Sequence, residues 1–571
     1  MKICYKYVAA LSALVISSIC VSAQNMYDAI NISRNNYFGT ARTMALGNAV
    51  TALGGDLGTV GINPAGSAVY SYGQAVLTPG ISISSINSDF STSNALTTSN
   101  HSTSTKVSLP NFGVSAVFNM GRSQGLKSVT VSLISNQTAQ YLSYANAYGV
   151  NSATSKLAEM AAAAGGMDES ALGNYNSYDG SGIPWDILTG YQAGMFGSYG
   201  ENGKYVSITE ALANGYHYVP GKLAQTSITQ KSGTKKDVVL NMGFNISDKF
   251  YFGFNLGLPK AQYEYNEIFY ESAMNPSEFE LTFNKADGNA YTTHFRSAST
   301  NYKYVSDIEG LYAKFGFIFK PTDTWRIGAA IQTPTGYTIT ENWQYAASTS
   351  FDDSYFNGNQ TSPTGKFSYS LRSPYVASFG IAKTINKFGL ISIDYEIMDY
   401  SVMRFSNIHD DYLAQDSFRD LNETNRRFAG VSKNLRVGLE AKLTSEFAIR
   451  FGVDWLSSPE KFWTNDSGEK VYADDFLADY DAYASNAKRL LNYSYTNDDT
   501  SSASIGFGYS SSGSFFADVA VKYTEYPDTK FYPYYDYPNW NERGEYVNEA
   551  SPAIYNKRSL ISALLTFGWR F

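Results

Sequence analysis

The side chains that most often carry chemistry are scarce in this chain, and they do not form a working set. Its four histidines, His101, His217, His294 and His409, all fall in stretches that read as exposed connections. A serine hydrolase needs a base within reach of its nucleophile, so a barrel lipase or protease acting at membrane level would lack its imidazole. The acidic pairs Asp352-Asp353, Asp410-Asp411, Asp474-Asp475 and Asp498-Asp499 have no EF-hand spacing and read as solvated loop charge. These patterns point to no catalytic residue, no metal and no cofactor. The formal net charge is −8, and no stripe of Lys and Arg suggests nucleic acid as a partner.

What the sequence concentrates instead is small residues. The nearly uncharged stretch from Tyr37 to Tyr70 carries Gly39, Gly47, Gly54, Gly55, Gly58, Gly61 and Gly66. Such a backbone is suited to close packing against another surface. Within it, Asn63-Pro64-Ala65-Gly66 has the makings of a fixed turn. The proline removes a donor and sets φ, the residue before it is pushed extended, and the glycine permits a tight reversal. Asn63 reads as the anchor of that turn. We read residues 24–72 as a plug and 73–571 as the barrel around it.

The elements that position this plug must be strands. Aromatic residues make up 15% of the chain and charged residues only 16%, against about a quarter charged in an ordinary globular domain. Transmembrane barrels combine these features, because alternate strand residues meet lipid and aromatics collect at the two interfaces. Beyond the N-terminus no run of about 18 apolar residues appears, so no helix is expected to span a bilayer. Residues 1–23 read as an export signal, with Lys2 and Lys6, an apolar stretch over 8–19, and cleavage after Val21-Ser22-Ala23 and before Gln24. Its removal would take Cys4 and Cys20, the two cysteines of the chain.

Alternation is clearest at the C-terminus. Ile561, Ala563, Leu565, Phe567, Trp569 and Phe571 share one face, opposite Ser562, Thr566, Gly568 and Arg570. The same period runs through 447–455, 437–443, 391–397 and 311–319. An apolar face repeated this often fits lipid outside and a polar lumen inside. By that parity Arg436, Glu440, Arg450, Asp454, Asp518 and Lys522 face the lumen, where buried charges need partners. Lumenal Gly452 is then expected to tolerate serine better than lipid-facing Phe451 or Leu565 tolerates arginine.

Short turns at 121–127, 247–249, 321–324, 386–389, 444–446 and 510–513 alternate with long connections at 88–104, 146–224, 273–300, 350–363, 408–426, 464–499 and 535–552. This alternation requires fourteen strands, the first over 73–87, with both ends on the short-turn side. The expected fold is an all-β transmembrane antiparallel barrel with the plug in its lumen. Connection 146–224 has helical pattern over 155–164 and, more weakly, 208–214. Pro259, Pro334, Pro459 and Pro527 each lie about one spanning strand beyond a short turn, and are expected to end or bulge strands at the outer rim.

With Asn63-Pro64-Ala65-Gly66 set ahead of this many strands, preceded by Gly39-Thr40-Ala41-Arg42 and Ala45-Leu46-Gly47-Asn48-Ala49, the chain resembles the FadL/TodX family. That family comprises outer-membrane transporters of long-chain fatty acids and other hydrophobic compounds. The resemblance implies a hatch in which Asn63, Pro64, Ala65, Gly66, Arg42 and Gly47 hold or gate the lumen. It also implies passive uptake of a hydrophobic small molecule, contact with outer-membrane lipid, and a pocket beneath the outer connections. Phe571 resembles the terminal signal read by the barrel assembly machinery, and a monomer is expected. Exit in that family is sideways at the third strand. Here that strand is 127–145, with no proline or glycine between Ser128 and Asn146 to kink it, so the route stays open. The alternative is an aqueous porin, against which the plug argues. A TonB-coupled receptor would need a larger plug and about twenty-two strands.

Overall fold

The structure, a computed structural model, describes residues 26–92, 95–199, 201–284, 290–385, 388–408, 412–464, 470–472, 494–495, 499–547 and 549–571. The export signal over 1–23 with Cys4 and Cys20 lies outside the described residues. So do His409, Asp410, Asp411, Asp474, Asp475, Asp498 and most of connection 464–499.

A closed antiparallel barrel of 14 strands forms the wall. In order these are β1 Gln74–Thr92, β2 Ala95–Asn119, β3 Leu126–Gln140 with its continuation Ser143–Asn151, β4 Leu223–Ile246, β5 Phe250–Ala273 and β6 Ala290–Phe319. Then come β7 Trp325–Gln332 continuing as Gly336–Phe351, β8 Gly365–Arg372 continuing as Val376–Ile385, β9 Gly389–Asp399 and β10 Val431–Lys442. The last four are β11 Phe447–Leu456, β12 Thr500–Ser510, β13 Phe515–Glu525 and β14 Ala553–Arg570. The ring closes where β14 pairs with β1, Ile561 opposite Ile83. Reciprocal backbone bonds between Gly73 and Phe571, 3.0 and 2.9 Å, fasten the end of that seam.

Parity follows the alternation of the sequence. Leu565, Phe451, Ile393 and Phe315 are exposed on the outer face, while Arg436, Glu440, Arg450 and Asp518 are buried inside. A one-residue slip would exchange these sets, so the register is strongly specified. Outside, phenylalanines of β5 and β6 pack across the strands, Phe250 on Phe319 with centroids 4.8 Å apart. Among the described residues no helix is long and apolar enough to cross a membrane.

Several expected boundaries shift. The connection expected over 88–104 is ladder, since β1 and β2 stay paired out to Phe90 opposite Thr98. Its Ser/Thr-rich alternation suits a pleated strand as well as a loop. Pro259 ends nothing: β5 continues through it to Ala273, paired on both sides beyond it. The cost of its missing donor is local and the surrounding ladder absorbs it. Pro334 does interrupt β7, and Pro374 interrupts β8 beside it, where Ser373 N donates to Thr335 O at 3.0 Å. Pro459 and Pro527 follow the ends of β11 and β13.

Inside the barrel run α1 Met26–Ser33, α2 Ala41–Ala45, α3 Leu57–Val60 and the 3-10 turn Pro64–Val69. Among the outer connections, α4 Lys156–Ala163 forms where expected, capped by Ser155. The segment 208–214 is not helical. Ala211–Ala213 and Tyr216–Tyr218 pair around Asn214-Gly215, both at positive φ, as an Asn-Gly hairpin turn requires. Three further helices are not expected from the sequence: the single turn Glu169–Leu172, α5 Trp185–Gln192 and α6 Tyr412–Phe428.

Candidate functional site

Residues 26–70 fit the lumen because the wall is bare where they pass. Inward-facing glycines stand opposite one another across neighbouring strands: Gly253 with Gly243 and with Gly316, Gly328 with Gly380, and Gly438 with Gly452. A Cβ on Gly253 would lie 2.2 Å from the carbonyl carbon of Pro64, and one on Gly328 2.2 Å from Thr51 O. On Gly452 it would lie 2.0 Å from Gly47 N. The expectation that Gly452 tolerates serine is therefore corrected. Lumenal parity does not mean room when a second backbone occupies the lumen.

The turn of Asn63 is pinned to two surfaces at once. Its Oδ1 accepts from Ala65 N at 3.0 Å, while Nδ2 donates to Thr51 O at 2.6 Å and to Phe317 O of β6 at 3.1 Å. Pro64 O accepts from Asn241 Nδ2 of β4 at 3.1 Å. Ala65 and Gly66 are buried with them, and Gly66 N closes the turn on Asn63 O at 2.9 Å. Gly47, at φ +61°, sits instead against β11. The six residues singled out from the sequence thus form two contact points with the wall: Asn63, Pro64, Ala65 and Gly66 at β4–β6, and Arg42 and Gly47 at β10–β11.

Charge ties the same segment to the wall. Glu440 Oε2 accepts from Arg42 Nε at 3.1 Å and from Arg450 Nε at 2.7 Å, and Arg450 reaches Asp518 at 2.5 Å. Arg436 pairs with Glu396 at 2.8 Å and Lys522 with Asp454 at 2.7 Å. Two buried lysines bind backbone instead. Lys314 Nζ donates to Gly61 O at 2.9 Å, and Lys235 Nζ to Ile32 O and Arg34 O, both at 2.7 Å. Sequence reading missed Lys235, and it missed Asp394, which accepts from Thr51 N at 2.7 Å. Their inward parity was the available signal.

Above this polar girdle the interior turns apolar. Met26, Ala29, Ile30 and Ile32 of α1 pack among Tyr337, Tyr369, Tyr400, Phe405 and Phe418. Beside α1 lies a cavity of about 180 Å³, lined by Ile30 and Arg34, by 139–143 and Ala145 of β3, and by Lys231, Phe531 and Arg558.

That cavity meets the wall where the wall is incomplete. The β2–β3 ladder stops at Asn111 opposite Asn136, and the next residue outward on β2 is Pro110. Proline offers no N–H to continue it. β3 shifts register against β4 between Gln137 and Ala139, and its strand is interrupted at 141–142 while the new register with β4 holds, Gln140 opposite Thr234 and Ser143 opposite Lys231. Its carbonyls there are taken by the inner segment: Asn36 N donates to Thr138 O at 2.7 Å and Phe38 N to Gln137 O at 3.1 Å. Tyr141 N stays on Gly233 O of β4 at 3.1 Å, in register. The third strand is thus interrupted without a proline or glycine of its own. The causes lie in its neighbours, which is why its own residues gave no warning.

Of the four histidines, His101 contacts Asn87, His217 packs on Tyr199 and His294 contacts Asp352, all on outer segments.

No family model matches the chain, and no curated protein does. Solved structures resemble it over nearly its whole length. A FadL homologue of Pseudomonas aeruginosa has TM-score 0.46 and 12% identity, over 93% of this chain and 98% of that one. The toluene transporter TbuX of Ralstonia pickettii has TM-score 0.43 and 12% identity, over 95% and 100%. The toluene transporter TodX of P. putida has TM-score 0.42 and 9% identity, over 93% and 98%.

Proposed function

We propose that the chain is a passive outer-membrane transporter of hydrophobic small molecules, of which a long-chain fatty acid is one, with residues 26–70 as its hatch. The observation that carries this reading is the packing of α1 in an aromatic chamber directly above a segment that fills the lumen. A porin needs a water-filled lumen, whereas here wall residues such as Asn241, Lys314 and Glu440 are spent on the inner segment, and the cavity beside α1 sets apolar Ile30, Leu142 and Phe531 next to Arg34, Lys231 and Arg558. A ligand enters between the outer connections, takes the place of α1 side chains in the chamber, and leaves through the β2–β3 seam into the membrane. Binding and exit are coupled because Asn36 and Phe38 hold the carbonyls of Thr138 and Gln137. Shifting that segment releases β3. A ligand drives the shift only if it binds the two arrangements differently.

The test is conductance and uptake together. The intact protein in planar bilayers should show little steady ion current, and deletion of residues 26–66 should open a large pore. Cells carrying the intact protein should take up a long-chain fatty acid faster than cells lacking it. A large current through the intact protein, unchanged by the deletion, would overturn the reading in favour of the porin.

A further inference from the structure

Between Pro110 and the outer end of the β2–β3 seam, the gap is crossed by a side chain that the ladder does not require. Continuing the register beyond Asn111–Asn136 would set Lys106 opposite Tyr141. The β2–β3 pairing has ended before Tyr141, which keeps only its register with β4, its N–H on Gly233 O. Lys106 belongs to the less exposed row of β2, alternating with exposed Thr105 and Val107. Its Nζ crosses to β4 and donates to that same Gly233 carbonyl at 3.1 Å. Gly233 is held at φ +130°, where a Cβ would lie 2.0 Å from Gln262 O, so the carbonyl is fixed in place. Farther out, the seam is bridged by Asn100 Nδ2 on Asn146 O at 2.8 Å and by Thr98 on Tyr148 O. Between that bridge and Pro110, Lys106 is the side chain that spans from β2 to β4 among the described residues.

We propose that Lys106 is a bar across the lateral seam, and that a ligand carboxylate is what draws it aside. This rests on the reading of the chain as a transporter and adds the ligand's charge to it. Among the described residues Lys106 forms no ion pair, and its acceptor is a neutral carbonyl. Gly233 O offers the ammonium only a dipole, whereas a carboxylate offers a full opposite charge, so a carboxylate at the seam outcompetes Gly233 O. The cavity behind the seam favours such a head group. Arg34, Lys231 and Arg558 line it against one acid, Glu460. Among the described residues, the buried Nε of Arg34 and Nε2 of Gln140, both at that cavity, have no acceptor. An uncharged hydrocarbon has nothing to offer these donors. An acid satisfies them and releases the bar, while its tail meets Ile30, Leu142 and Phe531.

Hydrogen exchange over 139–145 of the full-length protein in nanodiscs decides the proposal. Oleate should speed exchange there by about tenfold, which corresponds to about 1.4 kcal/mol taken from the Lys106 bond, and oleyl alcohol of the same chain length should not. Lys106→Met, which keeps the stem and loses the ammonium, should show the faster exchange with no ligand, and Lys106→Arg should restore the response to oleate. Equal effects of oleate and oleyl alcohol, or an unchanged segment in Lys106→Met, would overturn it. Uptake by cells separates the two readings. If the wild type carries neither compound, transport fails while the exchange result still stands for or against the bar. If it carries both, Lys106→Met should abolish the preference for the acid.

Discussion

Gly47 and Gly452 touch backbone to backbone: a Cβ on Gly452 would stand 2.0 Å from the nitrogen of Gly47, and one on Gly47 2.9 Å from the nitrogen of Val453. One glycine belongs to the inner segment and the other to the wall. Gly452→Ala should therefore unseat this contact point. Overpacking of this kind costs about 1–3 kcal/mol. The expected outcome is a lower unfolding temperature together with ion current in planar bilayers. Gly197→Ala, at a position with nothing within 4 Å, is the control and should change neither. A quiet, fully stable Gly452→Ala would mean that the segment does not press on β11.

Asn63→Ala removes three hydrogen bonds and leaves Thr51 O and Phe317 O buried without that donor. A buried group left unsatisfied costs about 1–3 kcal/mol. The loss should appear locally, as faster hydrogen exchange over 51–66, with the barrel still assembled in the membrane. Asn63→Asp keeps the acceptor for Ala65 N but sets a buried carboxylate oxygen against Thr51 O and Phe317 O, so it should loosen 51–66 more than the alanine variant does.

Much of this arrangement was legible because the sheet has a period of two. The inward charges Arg436, Glu440, Arg450 and Asp518 and the outward Leu565 and Phe451 could each be placed by alternation alone. The Asn63 turn was legible because proline and glycine restrict backbone locally. What stayed hidden depends on more than one strand. Gly253 and Gly316 read as weak strand residues until the register sets them opposite each other beneath Pro64. The break in β3 is produced by Pro110 on one neighbour and by Asn36 and Phe38 from inside. No window along β3 contains any of them.

The outer connections carry a pH dependence of their own. Glu210 accepts from Ser207 N at 3.0 Å, and desolvation raises its carboxyl from 4.5 to about 7. A folded-state pKa above the unfolded one means that the folded form holds the proton longer. Stability of this segment is therefore greatest below about pH 4.5 and falls as pH rises to about 7. The penalty at pH 8 is on the order of 1–3 kcal/mol. Glu210→Gln should slow hydrogen exchange over 205–219 at pH 8 and leave it nearly unchanged at pH 4.5. Equal effects at both values would show that the carboxyl titrates normally.

The charge cluster at β10–β13 separates what holds the wall from what holds the inner segment. Glu440 serves Arg42 from inside and Arg450 from its own sheet, and Asp518 serves Arg450 alone among these. Glu440→Gln leaves two arginines facing one carboxylate in a buried setting, and breaking a buried pair costs about 3–5 kcal/mol. Arg42→Gln is milder, because Arg450, Glu440 and Asp518 remain together. In the double variant Arg450 and Asp518 are a balanced pair again, so the two losses should not add. Neighbours in one network couple by about 0.5–3 kcal/mol. Where the coupling appears is the informative part. Exchange at α2 should report the loss in Arg42→Gln, because that helix carries Arg42, while exchange over β11 should report it only in Glu440→Gln. Additive losses, or equal responses of α2 and β11 to both variants, would show that Arg42 does not fasten the inner segment to the wall.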